Sequence, residues 1–184
     1  YEILTPISEG GKEELQMIER IGRVCYKSED KITEDGESAK KFVRMLINAH
    51  HEAMIEHSTL SVMFTVDRGV SHEMVRHRIA SFAQESTRYV NYSKDKYGNE
   101  INVIDLAPGI ALDRRMQDMP AETIEAILNE WELAMLDAEK HYMKMIELGA
   151  TAQIARSVLP NSTKTNITIT ANYREWRNYF RLRT

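Results

Sequence analysis

The chain has 184 residues, 42% of them hydrophobic and 28% charged, with only 8 glycines and 4 prolines, which excludes a disordered or fibrous protein and points to one domain spanning residues 1–184. A formal net charge of -4 argues against a general nucleic-acid coat, and the single cysteine, Cys25, excludes an intramolecular disulfide or a site built from several thiolates. No run is apolar enough to cross a bilayer and the opening YEILTPISEGGKEE lacks the basic and apolar regions of a signal peptide, so a cytoplasmic protein without a membrane partner is expected.

The segment Lys12 to Tyr26 places Leu15, Ile18, Gly22 and Cys25 on one face of an amphipathic helix, with Cys25 expected as a buried structural thiol. A second helix is expected from about Glu37 to Ala49, with Phe42, Leu46 and Ala49 inward. Thr59 to Val66 alternates as a half-buried strand, with Leu60, Val62, Phe64 and Val66 on one side. Helical spacing returns from Val70 to Arg78. A polar segment from Ser81 to Asn99 follows, ending in the turn signal Tyr97-Gly98-Asn99.

Ile101 to Leu106 reads as a short strand. The clearest helix starts after Pro120 and runs to about Leu148, with Ile124, Leu128, Trp131, Met135, Ala138, Tyr142 and Met145 in register and Gly149 as its stop. Ala150 to Val158 is a further short helix ended by Pro160, and Lys164 to Ala171 alternates as a strand with Ile167, Ile169 and Ala171 inward. Asn172 and Glu175 carry the signature of a capped start to a last helix, whose Trp176, Tyr179 and Phe180 are expected to be exposed. The class that follows is α+β: a small, mostly antiparallel sheet flanked by helices, one of them long. The helical pattern still runs at Arg183-Thr184, so a further C-terminal tail is expected.

Charge is unevenly distributed. From Thr151 to Thr184 six basic residues face one acid, Glu175. Arg174, Arg177 and Arg181 share one face of the last helix at i, i+3 and i+7. The densest polar cluster runs from Arg76 to Tyr89 and holds Arg76, His77, Arg78, Ser81, Ser86 and Arg88. Its guanidinium forks and hydroxyls suit either an anionic ligand or a solvated patch paired with Glu73 and Glu85. His51-Glu52 and Glu56-His57 superficially resemble a zinc helix, but i and i+6 do not share a helical face and position 55 is Ile, so no metal is expected. No G-x-G-x-x-G, G-x-x-x-x-G-K-[ST] or G-x-S-x-G is present, so a bound nucleotide must be gripped by side chains.

Taken together, Arg76-His77-Arg78, seven residues, Ser86 and then Arg88-Tyr89 resembles the signature of the flavin-dependent thymidylate synthases. Three more stretches agree in order: His51-Glu52 with Glu56-His57; Ala155-Arg156-Ser157-Val158-Leu159-Pro160; and Asn172-Tyr173-Arg174-Glu175 with Asn178 and Leu182-Arg183. The resemblance implies an enzyme that makes dTMP from dUMP with methylenetetrahydrofolate as carbon donor, NADPH as reductant and FAD as hydride carrier. It further implies a homotetramer with active sites shared between subunits, and no enzyme nucleophile. Carried over by position, Arg76, Gln84, Ser86, Thr87 (through its backbone), Arg88, Arg156 and Arg183 would hold dUMP, with Ser86, Arg88 and Arg183 acting at the reacting ring. His51, Glu56, His77, Arg78, Ile79, Asn172, Arg174, Asn178 and Leu182 would contact FAD. The chain departs from the family pattern at His72-Glu73, Ala83, Gln84 and Ala53, and Glu73 would repel a nearby phosphate. Two other readings compete: a flavin-dependent methylase or hydroxymethylase of a related pyrimidine nucleotide, and a basic nucleic-acid-binding module.

Overall fold

The computed structural model describes residues 1–94 and 98–183. Contacts divide the chain into two compact units: unit 1 is Tyr1–Phe64, His77–Ala83 and Thr168–Thr184, and unit 2 is Thr65–Arg76 and Gln84–Ile167. The strands are β1 (Glu2–Ile3), β2 (Thr59–Asp67), β3 (Ala80–Gln84) and β4 (Lys164–Asn172), in the antiparallel order β1-β2-β4-β3. The α+β class is therefore as expected, and β4 alternates as its sequence implies, with Thr165, Ile167, Ile169 and Ala171 buried.

In unit 1, α1 (Lys12–Tyr26) and α2 (Glu37–Asn48) form over the residues their apolar spacing indicates. Ile18, Phe42, Val43 and Leu46 pack with Ile55 of the 3-10 turn Glu52–His57. Gly22 is required here, because a Cβ would stand 2.6 Å from the Phe42 ring. Glu19 is fully buried: its carboxylate accepts from Arg23 Nε at 2.8 Å and from Ser38 Oγ at 2.8 Å, so its charge is both paired and hydrogen-bonded. Cys25 is exposed rather than buried: the buried residues of α1 end at Gly22 and Arg23, and in its last turn Cys25 Sγ lies 4.0 Å from Met54 Sδ and the Tyr26 ring 6.1 Å from Phe42 while both side chains stay open to solvent. Ala49 is likewise exposed, lying just past the end of α2.

The last helix, α7 (Tyr173–Arg183), begins where Asn172 Oδ1 accepts the Glu175 N–H at 2.9 Å, the predicted cap. Trp176 is buried, not exposed. Its Nε1 donates to the Leu60 carbonyl at 3.0 Å and its ring lies 6.1 Å from Phe64. Tyr179 is half-buried and Phe180 remains exposed, so the expected aromatic surface shrinks to one exposed ring, itself 6.0 Å from Trp176.

In unit 2, α3 (Arg68–Met74) is shorter than the Val70 to Arg78 pattern and is capped by Asp67, whose Oδ1 accepts from the Val70 N–H at 2.6 Å. Next come α4 (Ala107–Leu112), α5 (Ala121–Glu147) and α6 (Ala152–Ala155), with a 3-10 turn at Arg156–Val158. The helix α5 stops at Gly149, whose φ of 95° only glycine adopts readily. Tyr142 of α5 is the centre of a core with Tyr92, Ile101 and Ala155, and the two tyrosine rings meet edge to face at 5.7 Å. Trp131 Nε1 donates to Ser162 Oγ at 3.0 Å.

Two further expectations, both about strands, fail. The segment taken as polar loop from Ser81 onward carries β3, in which half-buried Ala80, Phe82 and Gln84 alternate with exposed Ser81 and Ala83. Pairing with β4 overrides a local sequence in which Phe82 is the one strong β-former. Conversely, Ile101 to Leu106 yields only the bridge Val103 to Thr163, flanked by single backbone bonds at Asn102 and Ile104. Of the turn Tyr97-Gly98-Asn99, Tyr97 lies outside the described residues, while Gly98 and Asn99 have φ of 79° and 54° as a tight turn requires. Among the described residues no helix is long and apolar enough to cross a membrane.

Candidate cofactor and nucleotide sites

Every residue assigned to FAD falls in unit 1, and every residue assigned to dUMP except Arg183 falls in unit 2. Unit 1 contains a groove of about 610 Å³ formed by α7, the turn Glu52–His57 and Ile79. Glu56, Ile79, Asn172, Arg174 and Asn178 line it, which brings together five of the nine. The i, i+3, i+7 spacing of Arg174, Arg177 and Arg181 puts three guanidinium groups along the same wall.

These charges are partly matched. Arg174 Nη1 makes a short hydrogen bond to Glu56 Oε1 and its Nε lies 3.7 Å from Glu52 Oε2, while Arg177 Nη2 lies 3.6 Å from Glu52 Oε1. The Glu56 hydrogen bond and charge, helped by Glu52, raise the Arg174 pKa further above its ordinary value. Arg181 Nη2 donates to Asn178 Oδ1 at 2.9 Å, and no carboxylate partner is found for it among the described residues. The donor set suits an anion such as a pyrophosphate, which would compete with Glu52 and Glu56 for the same guanidiniums. Interleaved acids also interrupt the basic stripe that a nucleic-acid module would need.

Three of the assigned residues, His77 together with the groove-lining Asn172 and Asn178, converge on Glu175. His77 Nδ1 lies 3.0 Å from Glu175 Oε1, Asn178 Nδ2 lies 3.4 Å from both carboxylate oxygens, and Asn172 caps the Glu175 N–H. His77 and Glu175 are both buried, and Arg183 Nε donates to His77 Nε2 at 3.3 Å. The Tyr179 ring packs 4.7 Å from the imidazole, and burial raises its pKa while Arg183 opposes the shift. The remaining assigned residues stay outside the groove lining: His51 Nδ1 pairs with Tyr26 Oη at 2.9 Å, and Arg78 and Leu182 are exposed.

In unit 2 the segment after β3 is anchored before it turns. Glu85 N–H donates to the Asn166 carbonyl at 3.0 Å, and the Asn166 N–H returns a bond to Glu85 Oε2 at 3.0 Å. Gln84 Nε2 donates to Ser71 Oγ at 2.8 Å and Thr165 Oγ1 at 3.3 Å, so its amide nitrogen is already committed. Ser86 then opens a turn, accepting the Arg88 N–H at its Oγ and the Tyr89 and Val90 N–H groups at its carbonyl. Thr87 is buried, in keeping with a backbone role, and Arg88 is exposed with its guanidinium 5.3 Å from the Tyr89 ring centre. Arg156 is exposed on its 3-10 turn, and exposed Arg76 Nε stands 3.6 Å from Glu73.

Sequence reasoning missed His50, Glu52 and Glu175 as lining residues. Glu52 was adjacent to the assigned His51, and Glu175 was read only as part of a helix-start signal. The signal available for Glu175 was its standing as the lone acid among six basic residues from Thr151 onward.

The family described as thymidylate synthase complementing protein matches residues 9–184. The chain is 32% identical over 179 residues to a flavin-dependent thymidylate synthase of Corynebacterium aurimucosum, covering 94% of this chain and 69% of that protein. It is 31% identical over 175 residues to the flavin-dependent thymidylate synthase of Mycolicibacterium vanbaalenii, covering 91% and 66%. For the protein of that name from Mycobacterium sp. strain KMS the identity is 31% over 185 residues, covering 96% and 69%. The chain thus spans about two thirds of the length of these relatives.

Proposed function

The chain belongs to the thymidylate synthase complementing protein family, and on that premise we propose that it is a flavin-dependent thymidylate synthase, converting dUMP to dTMP with methylenetetrahydrofolate as carbon donor and NADPH as reductant. The whole chain acts as one catalytic domain of a cytoplasmic homotetramer whose subunits share active sites. FAD supplies the hydride-carrying chemistry when bound.

The observation that most supports this reading is the groove of unit 1, where Arg174, Arg177 and Arg181 face a cavity also lined by Asn172, Asn178 and Ile79. Guanidinium forks match phosphate oxygens and the amides supply neutral donors, so the donor set fits the pyrophosphate of a dinucleotide. Its volume of about 610 Å³ is in the range of small-molecule sites. In this role Arg174 exchanges Glu56 for the ligand anion.

Arg76, Arg88 and Arg156 are the exposed guanidiniums that bind dUMP, together with Arg183. The anchored turn at Ser86 presents its hydroxyl and the Arg88 side chain in a fixed relation, because Gln84 and Glu85 are tied to β4 and α3 before it. Arg88 and Arg183 hold the pyrimidine and stabilise negative charge developing on its carbonyl oxygens. Ser86 orients the nucleotide and does not attack it.

The test is direct. Purified protein should carry or take up FAD, oxidise NADPH faster when dUMP is added, and yield dTMP from dUMP and methylenetetrahydrofolate by mass spectrometry. Protein that binds no flavin and shows no dUMP-stimulated oxidation would overturn the reading.

A further inference from the structure

We propose that Glu175 is a positioning residue for Arg183, acting through the tautomer of His77; this rests on the reading of Arg183 as a dUMP ligand. A guanidinium keeps all its protons and has no acceptor, so the 3.3 Å contact from Arg183 Nε to His77 Nε2 requires that Nε2 carry no hydrogen. The imidazole proton therefore sits on Nδ1, where it donates to Glu175 Oε1 at 3.0 Å. A carboxylate only accepts, so Glu175 selects this one tautomer, and the tautomer in turn presents a lone pair to Arg183.

The relay is held from several sides. Glu175 and His77 are 8% and 7% exposed, so water competes little for either contact. Asn178 Nδ2 approaches both Glu175 oxygens at 3.4 Å, Asn172 fixes its backbone N–H, and the Tyr179 ring lies 4.7 Å from the imidazole. With a weaker acceptor at position 175 the ring takes up the Nε2–H tautomer as well. Two donors then face each other and Arg183 loses this contact.

Long-range 1H–15N spectra of the intact wild-type chain at neutral pH should show His77 neutral, protonated at Nδ1 and bare at Nε2. An Nε2–H tautomer or an imidazolium overturns the proposal, and this reading does not depend on any variant folding. Glu175→Gln should populate the Nε2–H tautomer and raise the dUMP Kd about tenfold by calorimetry, as loss of a charge-assisted contact does. In an Arg183→Ala background the same substitution should leave the dUMP Kd unchanged. An equal loss in both backgrounds marks a merely structural carboxylate and refutes the relay. Wild-type protein that binds no dUMP sinks the functional reading, while the tautomer spectrum still decides for or against the relay.

Discussion

Replacing Ser86 by Ala separates a positioning hydroxyl from a nucleophile. The turn at Ser86 rests on three bonds: Arg88 N–H to Ser86 Oγ at 3.3 Å, Tyr89 N–H to its carbonyl at 3.2 Å, and Val90 N–H to the same carbonyl at 3.0 Å. Only the first is lost in Ser86→Ala, and the anchors at Gln84 and Glu85 are untouched. Loss of that bond and of one hydrogen bond to the nucleotide costs roughly 1–3 kcal/mol in all, which lowers turnover about 5- to 150-fold. Deleting a nucleophile would instead cost on the order of 10⁴-fold or more. The assay is dUMP-dependent NADPH oxidation, with flavin absorbance and the dUMP Kd measured on the same sample. Complete loss of turnover with FAD and dUMP both bound would refute the argument.

Three further outcomes are expected. Glu19→Ala strands buried Arg23 without its carboxylate, a loss of about 3–5 kcal/mol, so the Tm should fall by roughly 10 °C, and an unchanged Tm would contradict the role given to that pair. Burial raises the Tyr142 pKa above 10.0, opposed in part by the Tyr92 N–H, so the phenol stays protonated in the folded chain where it would ionise in the unfolded one. Stability from this group is complete below about pH 10 and is lost as pH rises toward the folded value; Tyr142→Phe should flatten that alkaline loss in thermal melts, and an unchanged slope would count against it. Glu52→Gln removes a carboxylate that lies 3.7 Å from Arg174 and 3.6 Å from Arg177, so FAD titrated by fluorescence should bind up to about fivefold more tightly, whereas weaker binding would show that Glu52 does not compete with the ligand.

Elements whose burial follows from their own periodicity were legible. The bounds of α1 and the long run of α5 match apolar spacing, because a helix with one apolar stripe has one face to bury wherever its partner lies. Trp176 and Cys25 were misjudged in opposite directions for one reason: the pattern shows which residues share a face but not where along that face contact stops. Trp176 is covered because its ring packs against Phe64 and its N–H reaches the Leu60 carbonyl, whereas Cys25, on the last turn of α1, touches only the edge of the cluster at Met54 and stays open to solvent. Strand β3 was missed since its alternation is carried by small and polar residues around Phe82, and only a partner strand makes such a stretch extended.

For the candidate site, the arginines were legible and their partners were not. The spacing of Arg174, Arg177 and Arg181 is visible in one helix, so a shared face follows from geometry within a single element. Glu52 and Glu56 sit more than a hundred residues earlier, and nothing local says that their turn meets α7. That long-range contact changes the chemistry: a wall of three positive charges becomes one in which Arg174 and Arg177 are matched by Glu52 and Glu56. An anion entering the groove gains less than the arginine count suggests, because it must replace contacts already made. It gains specificity in return, since only a ligand offering at least two anionic groups recovers what Glu52 and Glu56 gave up. A single phosphate should therefore displace these carboxylates poorly and a pyrophosphate well, and competition of inorganic phosphate against pyrophosphate for FAD release would read the difference. Equal potency of the two anions would show that the carboxylates set no such threshold.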